Sequence, residues 1–116
     1  MIPSLTKYQH IIKDIKIIRF RKEENLSAFI AIIFFIDGSE LHIREYLFNN
    51  GERKYSFHWM GKDKKLIIRW DNAPHWKKVS TFPHHKHMGS TLHVENSREI
   101  TTESVLFVIN LQIGKR

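Results

Sequence analysis

The stretch LSAFIAIIFFIDGSELHIREYLFNNGERKYSFHWMGKDKKLIIRW, residues 26–70, holds four runs of strand-forming side chains parted by three turn signals. Leu26 to Ile36 is nearly all apolar and rich in Ile and Phe, the composition of a central strand covered on both faces. Asp37-Gly38 follows, a hairpin signal because both residues tolerate positive φ. From Ser39 to Phe48 the apolar Leu41, Ile43 and Leu47 alternate with Glu40, His42 and Arg44. Asn49-Asn50-Gly51 makes a second turn. Lys54 to Met60 then puts Tyr55, Phe57 and Trp59 on one side and Ser56 and His58 on the other. Gly61 to Lys64 is a third turn, and Lys65 to Trp70 a further strand. The middle of the chain therefore reads as an antiparallel meander.

Toward the N-terminus, Leu5, Tyr8, Ile12 and Ile15 recur at spacings of three and four. That stripe predicts a short amphipathic helix, started by Ser4 or Pro3. From about Lys16 the pattern turns to period two with Ile17 and Ile18, predicting a first strand to about Arg21. Toward the C-terminus, Pro74 and Pro83 predict an irregular segment over Asp71 to Met88, because proline cannot sit in a central strand. A short strand over Thr91 to Val94 follows. Thr101 or Thr102 can cap a last helix with Glu103 in its first turn, burying Val105, Leu106, Ile109 and Ile113. Val105 to Leu111 is apolar enough for a strand as well. The expectation is one α+β domain over residues 1–116: an antiparallel meander sheet of about five strands with an N-terminal and a C-terminal helix.

Length and composition agree with one core: 116 residues are 41% hydrophobic, and folding at this size buries roughly two thirds of the unfolded chain's surface. Without cysteine, neither disulfides nor thiolate metal ligands enter, and the absence suits a reducing cytosol. The first twenty residues lack the apolar core and cleavage site of a signal peptide. The longest apolar run, Ala28 to Ile36, is too short for a membrane-spanning helix, which needs about 20 residues. No membrane partner is expected, and a cytoplasmic setting is.

The formal net charge is +7, unevenly spread. Residues 62–87 carry seven Lys/Arg (Lys62, Lys64, Lys65, Arg69, Lys77, Lys78, Lys86) against Asp63 and Asp71, and four of the eight histidines. An acidic polymer such as RNA is the natural partner of such a surface, although an excess of Lys and Arg can simply keep a small protein soluble.

The chemistry-bearing residues crowd where Arg69-Trp70-Asp71-Asn72-Ala73-Pro74-His75 leaves a strand and Thr81-Phe82-Pro83-His84-His85-Lys86-His87 soon follows. Loops on a rigid sheet commonly carry function. In a metal-free reading, a base takes the proton of a ribose 2′-OH, an acid protonates the leaving 5′ oxygen, and a cation offsets the charge growing on the phosphate. Histidine suits both proton roles, and the planar fork of arginine suits the last. The candidates are His58 with His84 or His87 for proton transfer, Arg69 as phosphate clamp, Asp71 to orient a histidine, and Glu45 from a neighbouring strand. Asn72, His75, Trp76, Lys77, Lys78, His85 and Lys86 are candidates for holding substrate. Which histidine is base and which acid is not fixed by the sequence.

A second reading gives His84, His85 and His87 a divalent metal. Residues i and i+2 of an extended segment point the same way, so His85 and His87 could chelate, with Asp71 or His75 completing the shell. The bland account of each lone histidine is a surface residue making one hydrogen bond. Trp59 and Trp70 lie inside expected strands and read as core. Trp76 stands beside His75, Lys77 and Lys78 and is the better base-stacking candidate. Lys64 and Lys65 read as a solvated turn. Two further functions stay open beside a metal-free ribonuclease. One is a non-catalytic basic nucleic-acid-binding module in which the histidines are structural; the other is a metal-dependent hydrolase.

The runs DGSELHIREY (37–46), KYSFHW (54–59), LIIRWDNAPH (66–75) and STFPHHKH (80–87), in that order and spacing, resemble the TumE-type toxin family of bacterial and archaeal type II toxin–antitoxin modules. The likeness covers roughly residues 30–110, including a C-terminal helix. It implies a small cytoplasmic toxin, encoded beside a helix-turn-helix antitoxin, with ribonuclease action. The family motifs fall on Glu45, His58, Arg69, Asp71, Asn72, His75, His84, His85 and His87. Where family members often carry a second histidine and a proline after the DNAPH run, this chain has Trp76 and Lys77, which argues against a catalytic role at that place. A homodimer is among the assemblies left open.

Overall fold

The structure, a computed structural model, describes residues 4–114. Helix α1 (Ser4–Lys7) and a single 3-10 turn (Gln9–Ile11) lead into β1 (Ile12–Lys22). There follow β2 (Leu26–Phe35), β3 (Glu40–Phe48), β4 (Arg53–Met60), β5 (Leu66–Asp71), β6 (His85–Met88), β7 (Val94–Asn96) and α2 (Thr102–Gly114). The strands form one antiparallel sheet in the order β1-β2-β3-β4-β5-β6-β7, so each strand pairs only with its neighbours in sequence.

The sheet thus has seven strands where about five were expected. Segment 71–88 is irregular only in part. Residues His85–Met88 leave the proline-bearing loop and pair with β5, and Val94–Asn96 add an edge strand, displaced toward the C-terminus from the expected Thr91 to Val94. Both strands are short and largely polar, so they lack the apolar alternation that marks strands in sequence. The N-terminal helix is shorter than expected. Ile12 and Ile15 belong to β1, because β1 pairs along β2 from Ile12 onward. Of its proposed starts, Pro3 lies outside the described residues, and nothing is described of the Ser4 side chain.

The three central hairpins repeat one device. In each, the third residue of the turn is Asp or Asn, whose side chain accepts the amide two residues on: Asp37 from Ser39, Asn50 from Glu52, Asp63 from Lys65. The next residue takes positive φ: Gly38 at 88°, Gly51 at 87° and Lys64 at 68°. Only this one residue per turn is left-handed, so the Asp37-Gly38 pair makes a three-residue loop rather than the two-residue turn expected.

Directly paired residues share a face, which divides the sheet cleanly. On one face stand Ile33, Leu41, Trp59 and Ile68, and beside them Ile43, Phe57 and Trp70, all buried. Helix α2 covers this face with Val105, Leu106, Ile109 and Ile113, the four residues its periodicity marked. Each such burial contributes about 1.5–3 kcal/mol, enough to hold a helix too short to persist alone. Thr101 caps it: its Oγ1 accepts the Ser104 amide at 3.1 Å while Ser104 Oγ accepts the Thr101 amide at 3.0 Å. The other face carries His42, His58, Arg69 and His87 in one cross-strand row, and Arg44, Ser56, Asp71 and His85 in the next.

Candidate functional site

The open face owes its polarity to period two. Every second residue of β3, β4 and β5 goes to the core beneath α2, so the intervening His42, Arg44, Ser56, His58 and Arg69 stand away from it. They line a furrow of about 300 Å³ together with Met60. A second depression, of about 230 Å³, shares Arg44, Ser56 and Arg69 and runs on to Lys54, Asp71 and Asn72. Three cations, Arg44, Lys54 and Arg69, therefore border one continuous groove.

At its centre Arg69 Nη1 lies 3.2 Å from Nδ1 of His58. A guanidinium can only donate, so Nδ1 is the accepting nitrogen and the neutral ring carries its proton on Nε2. Burial, then the positive charges of Arg69 and His42, push the His58 pKa below its ordinary value of 6.5. His42 stands directly opposite His58 and bonds Glu40 Oε1 through Nε2 at 3.1 Å. The Nε of Arg69 also reaches Asp71 Oδ2 at 3.3 Å.

Asp71 is a buried hub. Its Oδ1 accepts the Ala73 amide at 3.0 Å, and both carboxylate oxygens face histidines: Oδ1 is 3.0 Å from His85 Nε2 and Oδ2 is 3.4 Å from His87 Nε2. Trp76, 38% exposed, packs against both rings, tilted to His85 at a centroid distance of 6.4 Å and edge-on to His87 at 6.0 Å. His75, Lys77 and Lys78 are exposed around it.

Other candidates stand elsewhere. His84 precedes β6 with the opposite parity to His85, and its Nδ1 bonds the Tyr55 hydroxyl at 2.8 Å with the two rings stacked. Tyr55 belongs to the core face, so His84 pairs neither with His58 nor with the ring pair of His85 and His87. Burial, then the charges of Arg53 and His85, push the His84 pKa down. Glu45 shares the parity of Leu41 and Ile43 and holds Arg53 Nε at 2.6 Å, away from Arg69. Lys86 points to the helix side, where it holds Glu99 at 3.0 Å beside Trp70. Asn72 is a staple: its Oδ1 accepts the Tyr55 amide at 3.0 Å and its Nδ2 donates to the Arg53 carbonyl at 2.6 Å. Sequence reasoning passed over His42, Arg44 and Lys54. Their signal was the alternation with Leu41, Ile43 and Tyr55 already used to place the strands.

The family model described as Toxin TumE matches residues 3–112, nearly the whole chain and all of the sheet. The chain belongs to the TumE toxin family. Comparison with curated proteins and with solved structures finds no match. The matched stretch takes in the groove, the Asp71 hub and most of α2. Among the described residues, no helix is long and apolar enough to cross a membrane.

Proposed function

We propose that this toxin cleaves RNA on the open face of its sheet and is held in check by an antitoxin of the helix-turn-helix kind. The observation that carries the reading is the His58–Arg69 pair in a groove bordered by Arg44 and Lys54. Cations along an open groove attract the RNA backbone, and the fork of Arg69 matches two phosphate oxygens. When Arg69 turns to the phosphate, it releases Nδ1 of His58, which takes the 2′-OH proton. The 2′ oxygen attacks phosphorus, the bond to the 5′ oxygen breaks, and protonated His42 supplies the proton that oxygen needs. The products are a 2′,3′-cyclic phosphate and a 5′-hydroxyl. This replaces the expected partnership of His58 with His84 or His87, because His42 is the histidine directly across the strand pair. Trp76 packs against His85 and His87 of this face, and the exposed Lys77 and Lys78 follow it in sequence; a stacked base and further phosphates would rest there.

The test is cleavage of end-labelled RNA by purified, antitoxin-free protein, with the fragment ends analysed. Cyclic-phosphate ends that disappear with His58→Ala, while RNA affinity stays within a few fold, support the reading. Folded protein that binds RNA and leaves it intact overturns it in favour of a binding module.

A further inference from the structure

His85 and His87 share strand parity, so both rings stand beside Asp71. Each ring hands Nδ1 to a main-chain carbonyl: His85 to Pro83 at 2.9 Å and His87 to Thr91 at 2.9 Å. A carbonyl can only accept, so both rings carry a proton on Nδ1 and turn Nε2 toward the carboxylate. The two Nε2 atoms lie 3.0 and 3.4 Å from the Asp71 oxygens. Yet His85, 1% exposed, has no hydrogen-bond partner for its Nε2 among the described residues. That nitrogen approaches the carboxylate off the hydrogen-bond direction, as it would if a third body between them set the geometry.

We infer that Asp71, His85 and His87 bind one divalent first-row transition-metal ion of the zinc class. Their ligand atoms lie within 4.8 Å of one another. Zinc bonds to imidazole and carboxylate run about 2.0–2.2 Å, so ligands on a tetrahedron sit roughly 3.3–3.5 Å apart, close to the two spacings seen. Two imidazoles and a carboxylate suit zinc, iron, cobalt or nickel, whereas calcium and magnesium prefer oxygen shells. The carbonyls of Pro83 and Thr91 orient the rings, as outer-shell partners of metal-bound histidines do. Trp76 packs against both rings. Arg69, 3.3 Å from Asp71, opposes a bound cation, but its side chain is 35% exposed and water screens it, while the three donors are buried. Such an ion ties loop 72–84 and β6 to β5 and leaves coordination positions for water or a substrate oxygen. Its binding rests on this geometry alone; any part it plays in cleaving RNA rests on the proposed function.

The test is zinc binding to chelator-stripped full-length protein, read by calorimetry and by the shift in melting temperature. One equivalent bound, with a higher melting temperature, is expected. His87→Ala and Asp71→Asn are expected to weaken zinc at least a hundredfold, and His75→Ala to leave it unchanged. X-ray absorption of the zinc-loaded wild type covers the case in which those variants do not fold, and is expected to show two imidazoles in a nitrogen and oxygen shell. No stoichiometric zinc, a different imidazole count, or binding undiminished in folded variants overturns the inference and leaves the cluster a metal-free histidine–carboxylate network. These readouts need no RNA, so they stand or fall apart from the cleavage assay.

Discussion

Arg69 donates to Nδ1 of His58 across 3.2 Å and to Asp71 Oδ2 across 3.3 Å, so one guanidinium links the groove histidine to the buried hub. Substitutions at these two groove residues are the sharpest probes of the open face.

Replacing His58 with Ala removes a proton-transfer group, and such groups contribute about 10²–10⁴-fold to rate. Cleavage is expected to fall by that order with RNA affinity little changed. Arg69→Lys keeps the charge and loses the fork, so it too is expected to lower cleavage by at least tenfold. Single-turnover cleavage beside a filter-binding titration separates rate from affinity. Equal losses in both would assign these residues to binding alone.

The pH profile follows from the direction of the His58 shift. The base must be deprotonated, so the rate falls as pH drops through its pKa, which burial and then Arg69 and His42 hold below 6.5. Cleavage is expected to remain high at pH 6.5 and to decline only at lower pH. Arg69→Gln removes one of the lowering charges, so the acid limb of whatever activity remains should move to a higher pH. An acid limb that does not move would exclude His58 as the base.

Glu99 ties the helix side of β6 to Trp70. Its burial alone would raise the pKa above 4.5, but hydrogen bonds from Lys86 and Trp70 outweigh this and hold it lower. A depressed folded value means stability that is present above the unfolded pKa and lost as pH falls through the folded one. Thermal melts between pH 6 and pH 3 are expected to drop more steeply for the wild type than for Glu99→Gln. Parallel curves would show the ion pair contributes nothing.

Gly51 isolates the cost of backbone handedness. A Cβ added there meets nothing within 4 Å, yet φ is +87°. Gly51→Ala is therefore expected to destabilise by about 1–2 kcal/mol through conformation alone, lowering the melting temperature by a few degrees. No change would mean the turn can relax to another type.

The meander from Leu26 to Trp70 was legible because β2 is a long apolar run, β3 and β4 alternate, and Asp-Gly, Asn-Gly and Gly61 to Lys64 punctuate the strands. The same alternation foretold that His58 leaves the core. Strand β6 was hidden, since His-Lys-His-Met beside Pro83 shows no apolar period. That omission cost the faces of two residues: the i, i+2 spacing already aligned His85 with His87, but only a strand turns His84 and Lys86 to the opposite face. His42 and Arg44 escaped notice for a different reason. They lie far in sequence from the basic segment and meet it only through hairpin register, which sequence alone does not number.

Because every strand pairs with its chain neighbour, the open face can be laid down strand by strand during synthesis, with no segment awaited from afar. The cover over Trp59 and Trp70 comes last, from α2. Local pairing can build the sheet without α2, but its Trp59 and Trp70 face stays uncovered until residues 102–114 dock on it.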